Sequence, residues 1–451
     1  MFSWEKRRRE RVCSVGRAQE ETVEIGPATI LRLALPALGV LAATPLYLLF
    51  DTAVVGTLGA ASLAALGAGT TIYAQVTTQL TFLSYGTTAR SARLFGAGKK
   101  KEAVAEGVQA TWLALFVGTV LAVTIFLGAP QFTFWLSGSS EVSSAATSWL
   151  RVTAAGIPLV LIIMAGNGWL RGVQNTRLPL LFTLSGIFPG MVLVPILVGR
   201  YGLVGSAWAN IVGITITSFL FIACLFRMHE GSIQPNWSIM RSQLTLGRDL
   251  ILRSLSFQIS FLSAAAVAGR FGPESLAAHQ VLLQLWSFLT LVLDSLAIAG
   301  QMLTGAALGA KDVVRARRVG QVSVLYSTMF GVALAVIFAA GFQVIPGIFT
   351  SDEGVLQEIS GPWWQLVLMI VLGGVVFAFD GVLLGAADAA YLRTVSLLSV
   401  LVGFLPGVWL ALFFQAGLVG VWWGLVSFIS IRMIAGVWRF YSMKWAYSKD
   451  L

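Results

Sequence analysis

Apolar runs of about 20 residues, the length that crosses a bilayer as a helix, recur along this chain from residue 28 to residue 443. They lie near 28–56, 62–92, 104–128, 147–170, 178–199 and 203–226, and then near 246–270, 275–308, 316–345, 359–385, 393–414 and 418–443. In hydrocarbon every backbone N–H and C=O must be satisfied within the structure, so consecutive runs of this kind fold as packed helices. The sequence therefore predicts an all-α integral membrane protein of twelve transmembrane spans. Composition agrees: 57% of residues are hydrophobic and 11% charged, whereas a soluble domain is about a quarter charged.

The placement of cations tests the span count. With the N-terminus in the cytoplasm, 27 of the 30 Lys and Arg residues fall on the cytoplasmic side, leaving Arg151, Arg200 and Arg270 outside. A miscounted helix would invert every later loop and erase that asymmetry. The expectation is a multi-pass protein of the plasma (inner) membrane with both termini cytoplasmic. The basic tail, residues 1–26, carries Lys6, Arg7, Arg8, Arg9 and Arg11 and stays polar to Glu24. A secretory signal would place its apolar core directly after the charges. The tail reads as a topology anchor, and the net charge of +10 implies no nucleic-acid partner. Cys13 and Cys224 are badly placed to pair, and two histidines, His229 and His279, leave little for a metal or haem site. No cofactor is expected.

The chain repeats itself. Val55–Ala65 reappears as Ala268–Ala278, Phe95-Gly96-Ala97 as Leu308-Gly309-Ala310, Gly107 as Gly320 and Gly172 as Gly385, all at an offset of 213. Gly202-Leu-Val-Gly205 returns as Gly417-Leu-Val-Gly420 at 215. Two pseudo-symmetric six-helix lobes follow, 27–227 and 244–445, joined by a cytoplasmic linker at 228–243 and ending in residues 446–451. Both start on the same side, so their symmetry axis runs along the membrane normal. Parallel repeats of this kind occur in secondary transporters, which hold substrate between the halves near mid-membrane. No GxxxxGK[ST] loop for nucleotide phosphates is present.

Three carboxylates lie inside spans: Asp51, Asp294 and Asp380. An ionisable group in hydrocarbon is costly, and its default reading is functional. Asp51 shares its span with Pro36 and Pro45, each of which removes a backbone donor and favours a bend. It is the candidate for proton or cation coupling. Asp294 and Asp380 read equally well as structural caps and as cavity acids. The repeat mate of Asp380 is Asn167, an amide where the other lobe has an acid. Gln258 and Gln280, with Gln284 and Gln301, are candidate cavity amides or helix–helix hydrogen-bonding groups. His279 and the tryptophans Trp363, Trp364, Trp422 and Trp423 read as interfacial residues.

These residues resemble a known family. Leu35-Pro36 followed by Asp51-Thr-Ala-Val-Val-Gly56 is similar to the first-helix signature of the multidrug and toxic compound extrusion (MATE) transporters. Arg171-Gly-Val-Gln-Asn-Thr-Arg177-Leu-Pro179 is similar to that family's loop after the fourth helix. Ala277-Ala-His-Gln-Val281, Leu293-Asp294-Ser-Leu-Ala297 and Phe379-Asp380-Gly-Val-Leu-Leu-Gly385 resemble its DinF-like branch. The resemblance implies two lobes in a V around a central cavity, export by proton or sodium antiport, and a coupling role for Asp51. The Asn-x-x-x-Asp-Pro run that many relatives carry in the fifth helix is replaced by Gly190-Met-Val-Leu-Val194-Pro195, and Gln258 stands where another branch has a glutamate. Sodium needs several oxygen ligands and a proton one base, so a proton is the expected coupling ion.

The leading expectation is a monomeric proton-coupled exporter of amphipathic, cationic small molecules, in which substrate and proton compete for a solitary acid in an apolar cavity. An organic-anion exporter and a lipid-linked-precursor flippase are the alternatives within the superfamily. The flippase would need an arginine-rich cavity, and the spans carry no run of arginines. A membrane-embedded lipid-modifying enzyme, the alternative of another class, would need convergent His, Asp and Ser or metal ligands.

Overall fold

The computed structural model describes residues 26–447. Residues 1–25, with most of the basic tail, and 448–451, with Lys449, lie outside the described residues. Six spans form the first lobe: Pro27–Gly56, Ala60–Gln79 continued by Phe82–Gly96, Lys100–Ser137, Ser140–Ala154 continued by Ile157–Gly172, Arg177–Tyr201 and Leu203–Met228. The second lobe has Trp237–Ala268, Pro273–Gly309, Val313–Ala340, Trp363–Gly385, Ala389–Phe413 and Gly417–Tyr441. Ten of these helices are each long and apolar enough to cross a membrane, and the fourth span, bent by 47° at its break, makes an eleventh. The second span is less apolar, because its latter half carries Arg90 and Arg93. All the regular elements among the described residues are helices.

The breaks have local causes. In the second span Thr77 and Thr81 turn their hydroxyls back onto the carbonyls of Tyr73 and Thr78, at 3.0 Å each. Such back-bonding competes with the helix ladder, and the helix interrupts at Leu80–Thr81. In the fourth span Pro158 lies in the first turn of the second segment, Ile157–Gly172, where its missing N–H has no intrahelical partner to lose. The first span runs without interruption through Pro36 and Pro45.

The lobes meet on one half of the bundle, the half at which the first span begins. Ile30, Leu33, Ala34 and Ala37 of that span pack on Ile298, Ala299 and Met302 of the eighth. Beside them the second and eighth spans cross at glycine. A Cβ on Gly96 would lie 1.9 Å from the Ala306 carbonyl oxygen, and one on Gly309 would lie 1.9 Å from that of Arg93. These four residues are repeat mates at the offset of 213, so the contact is self-complementary about the pseudo-twofold axis. Toward the opposite membrane face the lobes have separate cores: the cluster from Ala264 to Ile429 includes no residue of the first six spans.

The linker is tied down on the same half. Gln109 of the third span donates to the Gln234 carbonyl at 3.0 Å and accepts from Asn236 N–H at 2.6 Å, and Trp112 donates to the Ile233 carbonyl at 2.7 Å. Nearby, Arg90 grips Glu106 through two hydrogen bonds of 2.9 and 2.8 Å, and Gln243 of the seventh span donates to the same carboxylate at 2.9 Å. Removing one partner of a buried ion pair strands the other charge, at a cost of about 3–5 kcal/mol. Glu106→Leu should lower the thermal unfolding temperature of the purified protein by many degrees. An unchanged unfolding temperature would show that this pair does not hold the joint.

Two expectations are corrected. Trp363 and Trp422 are fully buried, Trp363 donating to the Phe338 carbonyl at 3.1 Å; only Trp364 and Trp423 remain at the surface. His279 is likewise buried, edge-on to Trp422, rather than interfacial.

Candidate functional site

Asp51 lies on the buried stripe of the first span. Ala43, Tyr47, Asp51 and Val55 are spaced every four residues along it and so share one face. The Asp51 carboxylate accepts a hydrogen bond of 2.7 Å from the Ser206 hydroxyl of the sixth span, which itself receives the Trp149 indole N–H at 3.3 Å. The other Asp51 oxygen and the Tyr47 hydroxyl are buried without a hydrogen-bond partner. The fifth span does reach this site, but with apolar surface: a Cβ on Gly190 would lie 3.3 Å from the Tyr47 ring. The polar neighbour comes instead from the sixth span, through Ser206, which the sequence did not single out. One acid and one hydroxyl can hold and release a proton but make a thin ligand set for sodium, which takes several oxygens. Among the described residues no group of three or more His, Cys, Asp or Glu converges on a common point.

A cavity of about 370 Å³ opens between the lobes, mostly within the second. Asp294 and Asp380 both line it, with Tyr85, Arg253 and Arg432. The Tyr85 hydroxyl of the second span donates to Asp294 at 2.5 Å, and Gln301 donates to the Tyr85 carbonyl at 2.8 Å. Asp294 therefore sits on a bond that crosses from lobe to lobe. Asp380 of the tenth span is held by Arg253 of the seventh at 2.5 Å and by Arg432 of the twelfth. The two guanidinium groups flank the Phe257 ring, with the Arg253 centre 5.3 Å and the Arg432 centre 4.6 Å from the ring centroid. Arg171, fully enclosed and bonded to the Ser84 hydroxyl at 3.3 Å, lies within electrostatic reach of Asp294 and Tyr85.

This corrects the picture of a solitary acid in an apolar, arginine-free cavity. Two arginines and two carboxylates line it, with Arg171 buried within electrostatic reach of Asp294, and the Asp51 site is separate, inside the first lobe. Arg171, Arg253 and Arg432 count as cytoplasmic charges when read along the chain. One signal pointed the other way: Arg432 falls well inside its own apolar span, Gly417–Tyr441. The other candidates scatter. Asn167 is buried in the fourth span with its amide oxygen unpartnered. Gln258 is half-buried and Gln280 exposed, and neither lines the cavity.

The comparisons with known proteins agree with this architecture. The family model MatE matches residues 36–196 and 250–409, one stretch in each lobe. The chain is 29% identical over 435 residues to Protein DETOXIFICATION 44, chloroplastic, of Arabidopsis thaliana, a match covering 91% of this chain and 81% of the relative. It is 28% identical over 428 residues to DNA damage-inducible protein F of Escherichia coli, covering 90% and 91%. Among solved structures, that of MATE in the bent conformation superposes with a TM-score of 0.87 at 23% identity, covering 92% of this chain and 96% of the other.

Proposed function

The chain belongs to the MatE family, matched across both lobes, and from that premise we propose that it is a secondary active exporter that exchanges small amphipathic molecules for protons by alternating access. MATE proteins are transporters rather than enzymes, and the chain is a multi-pass membrane protein with the twelve-helix, V-shaped fold of that family. The finer reading rests on one observation: Asp51 is buried with a single donor, Ser206, and one oxygen left free. That suits one proton and ill suits sodium. The lobes are joined on the half where the first span begins. With the termini in the cytoplasm of a cell bounded by a plasma (inner) membrane, the closed half is the cytoplasmic one and the cleft faces outward. The protein acts as a monomer, each copy carrying its own pair of lobes. The arginines of the cavity argue against the cationic cargo expected from a solitary acid.

In proteoliposomes, efflux driven by a fixed pH gradient should persist when all sodium is replaced by choline. A strict sodium requirement would overturn the proton reading.

A further inference from the structure

We propose that Asp294 is a second proton-coupling acid, and that its hydrogen bond to Tyr85 is a latch between the lobes which a proton from the outer cleft releases. The inference adds a coupling site to the exporter proposed above and rests on that reading.

The latch joins two polar stripes. Thr78, Thr81 and Tyr85 on the second span face Ser287, Thr290 and Asp294 on the eighth, each pair 209 residues apart, and all six line the same cavity. Residues three and four apart share one side of a helix. Thr78 and Ser287 are exposed, and Thr81 and Thr290 half-buried, so hydroxyls lead from the open cleft down to the Tyr85–Asp294 bond of 2.5 Å. Beyond it the seam is shut by the Gln301 bond to the Tyr85 carbonyl at 2.8 Å and by the crossing at Gly96 and Gly309. Asp294 thus stands between the outward way and the closed contact.

The groups facing Asp294 divide by lobe. Tyr85 and Arg171 belong to the first; Arg253 and Asp380, the former donating to the latter at 2.5 Å, belong to the second. When the lobes part, Asp294 keeps the second pair and loses the first. Arg171 spends one N–H on the Ser84 hydroxyl, its Nε is buried without a partner, and the carboxylate within its electrostatic reach is Asp294. The closed seam therefore gives the first lobe's buried cation a counter-charge from the second, where an uncompensated charge is costly. A proton taken from cavity water makes the carboxylate a neutral acid. The bond from Tyr85 is then no longer charge-assisted, and the attraction for Arg171 is lost. Linkage is reciprocal, so closing the seam drives the proton off, and it leaves to the cytoplasm when the inner half opens. A cycle carries one proton on Asp51 and another on Asp294.

A wholly structural bond, stapling the second span to the eighth, makes a different prediction: its removal weakens closure equally at every pH.

The test uses the full chain in lipid nanodiscs, with Cys13 and Cys224 replaced by Ser and spin labels on Lys100→Cys and Val314→Cys. These are exposed positions of opposite lobes, just past Gly96 and Gly309. Double electron–electron resonance reads the populations with the seam closed and parted. Acidification should move wild-type population from the shorter distance to the longer. Since a hydrogen bond to a charged group contributes enough to change an equilibrium about tenfold, Asp294→Asn should lower the closed-to-parted ratio by about that factor at alkaline pH. At acid pH, where the native acid already carries its proton, the variant should match wild type. If Asp294→Asn fails to fold, Tyr85→Phe carries the same comparison, with a several-fold loss at alkaline pH and little at acid pH. Equal loss at both ends, or none at either, would overturn the latch. The populations are read without gradient or cargo, so that failure leaves proton-driven export through Asp51 standing. A pH-sensitive seam in a chain whose efflux ignores the pH gradient would sink the exporter reading, and the coupling role with it, while keeping the latch.

Discussion

Asp51→Asn should reduce pH-gradient-driven efflux to the leak of empty vesicles while the protein still expresses, inserts and unfolds at nearly its native temperature. Asparagine has almost the shape of aspartate, and its carbonyl can keep the bond from the Ser206 hydroxyl, so packing of the first span on the sixth is preserved. What is lost is the ability to bind a proton. A carboxyl whose proton affinity differs by one pKa unit between two conformations couples about 1.4 kcal/mol of proton binding to that change; an amide couples none. The first span is suited to carry the signal. Its early residues pack on the eighth span of the other lobe and its later residues on the fifth and sixth of its own, with Pro36 inside the first of those regions, Pro45 between them and Asp51 in the second. Reconstituted protein, assayed for efflux against an imposed pH gradient, decides the matter. Wild-type transport by the variant would remove Asp51 from the mechanism.

The second large effect belongs to the glycine crossing. Gly309→Ala should hold the closed seam open and bring transport down to background. The added methyl would meet the Arg93 carbonyl oxygen at 1.9 Å, an approach that no side-chain adjustment relieves, because the obstacle is backbone. Packed interfaces have few alternative arrangements, so the helices must separate. The readout is accessibility: with Cys13 and Cys224 replaced by Ser, Ala299→Cys, buried in the seam, should resist a membrane-impermeant maleimide in the native background and react in the Gly309→Ala background. Gly56→Ala is the control, since nothing lies within 4 Å of a Cβ there, and it should behave as wild type. Continued protection of the introduced thiol, with full transport, would mean that this crossing tolerates the methyl and that the seam is not the moving contact.

Much of this was legible in the chain. The spans could be read because hydrocarbon leaves a helix as the economical solution for each long apolar run. The lobes could be read because the glycines at which helices cross are the residues least free to change: Gly96 and Gly309, aligned by the repeat, meet the carbonyls of a second aligned pair, Ala306 and Arg93. Asp51, Asp294 and Asp380 stood out as carboxylates in apolar surroundings, and the last two do line the cavity. Gln258 and Gln280 do not, because an amide in a span has no preferred face that one chain can reveal.

Arg253 and Arg171 were misplaced for a physical reason, whereas Arg432, well inside its span, could have been placed from the chain. A long cationic side chain near a span end reaches several ångströms toward water, so along one dimension it is indistinguishable from a loop charge. The order of residues was enough to set the number of helices, their two-fold repetition and the candidate coupling acid, because transfer from water to hydrocarbon acts segment by segment. The charge of the central cavity was settled by packing in three dimensions. It arises where the seventh, tenth and twelfth spans converge on Asp380, and the sum of charges at a point depends on which distant segments arrive there.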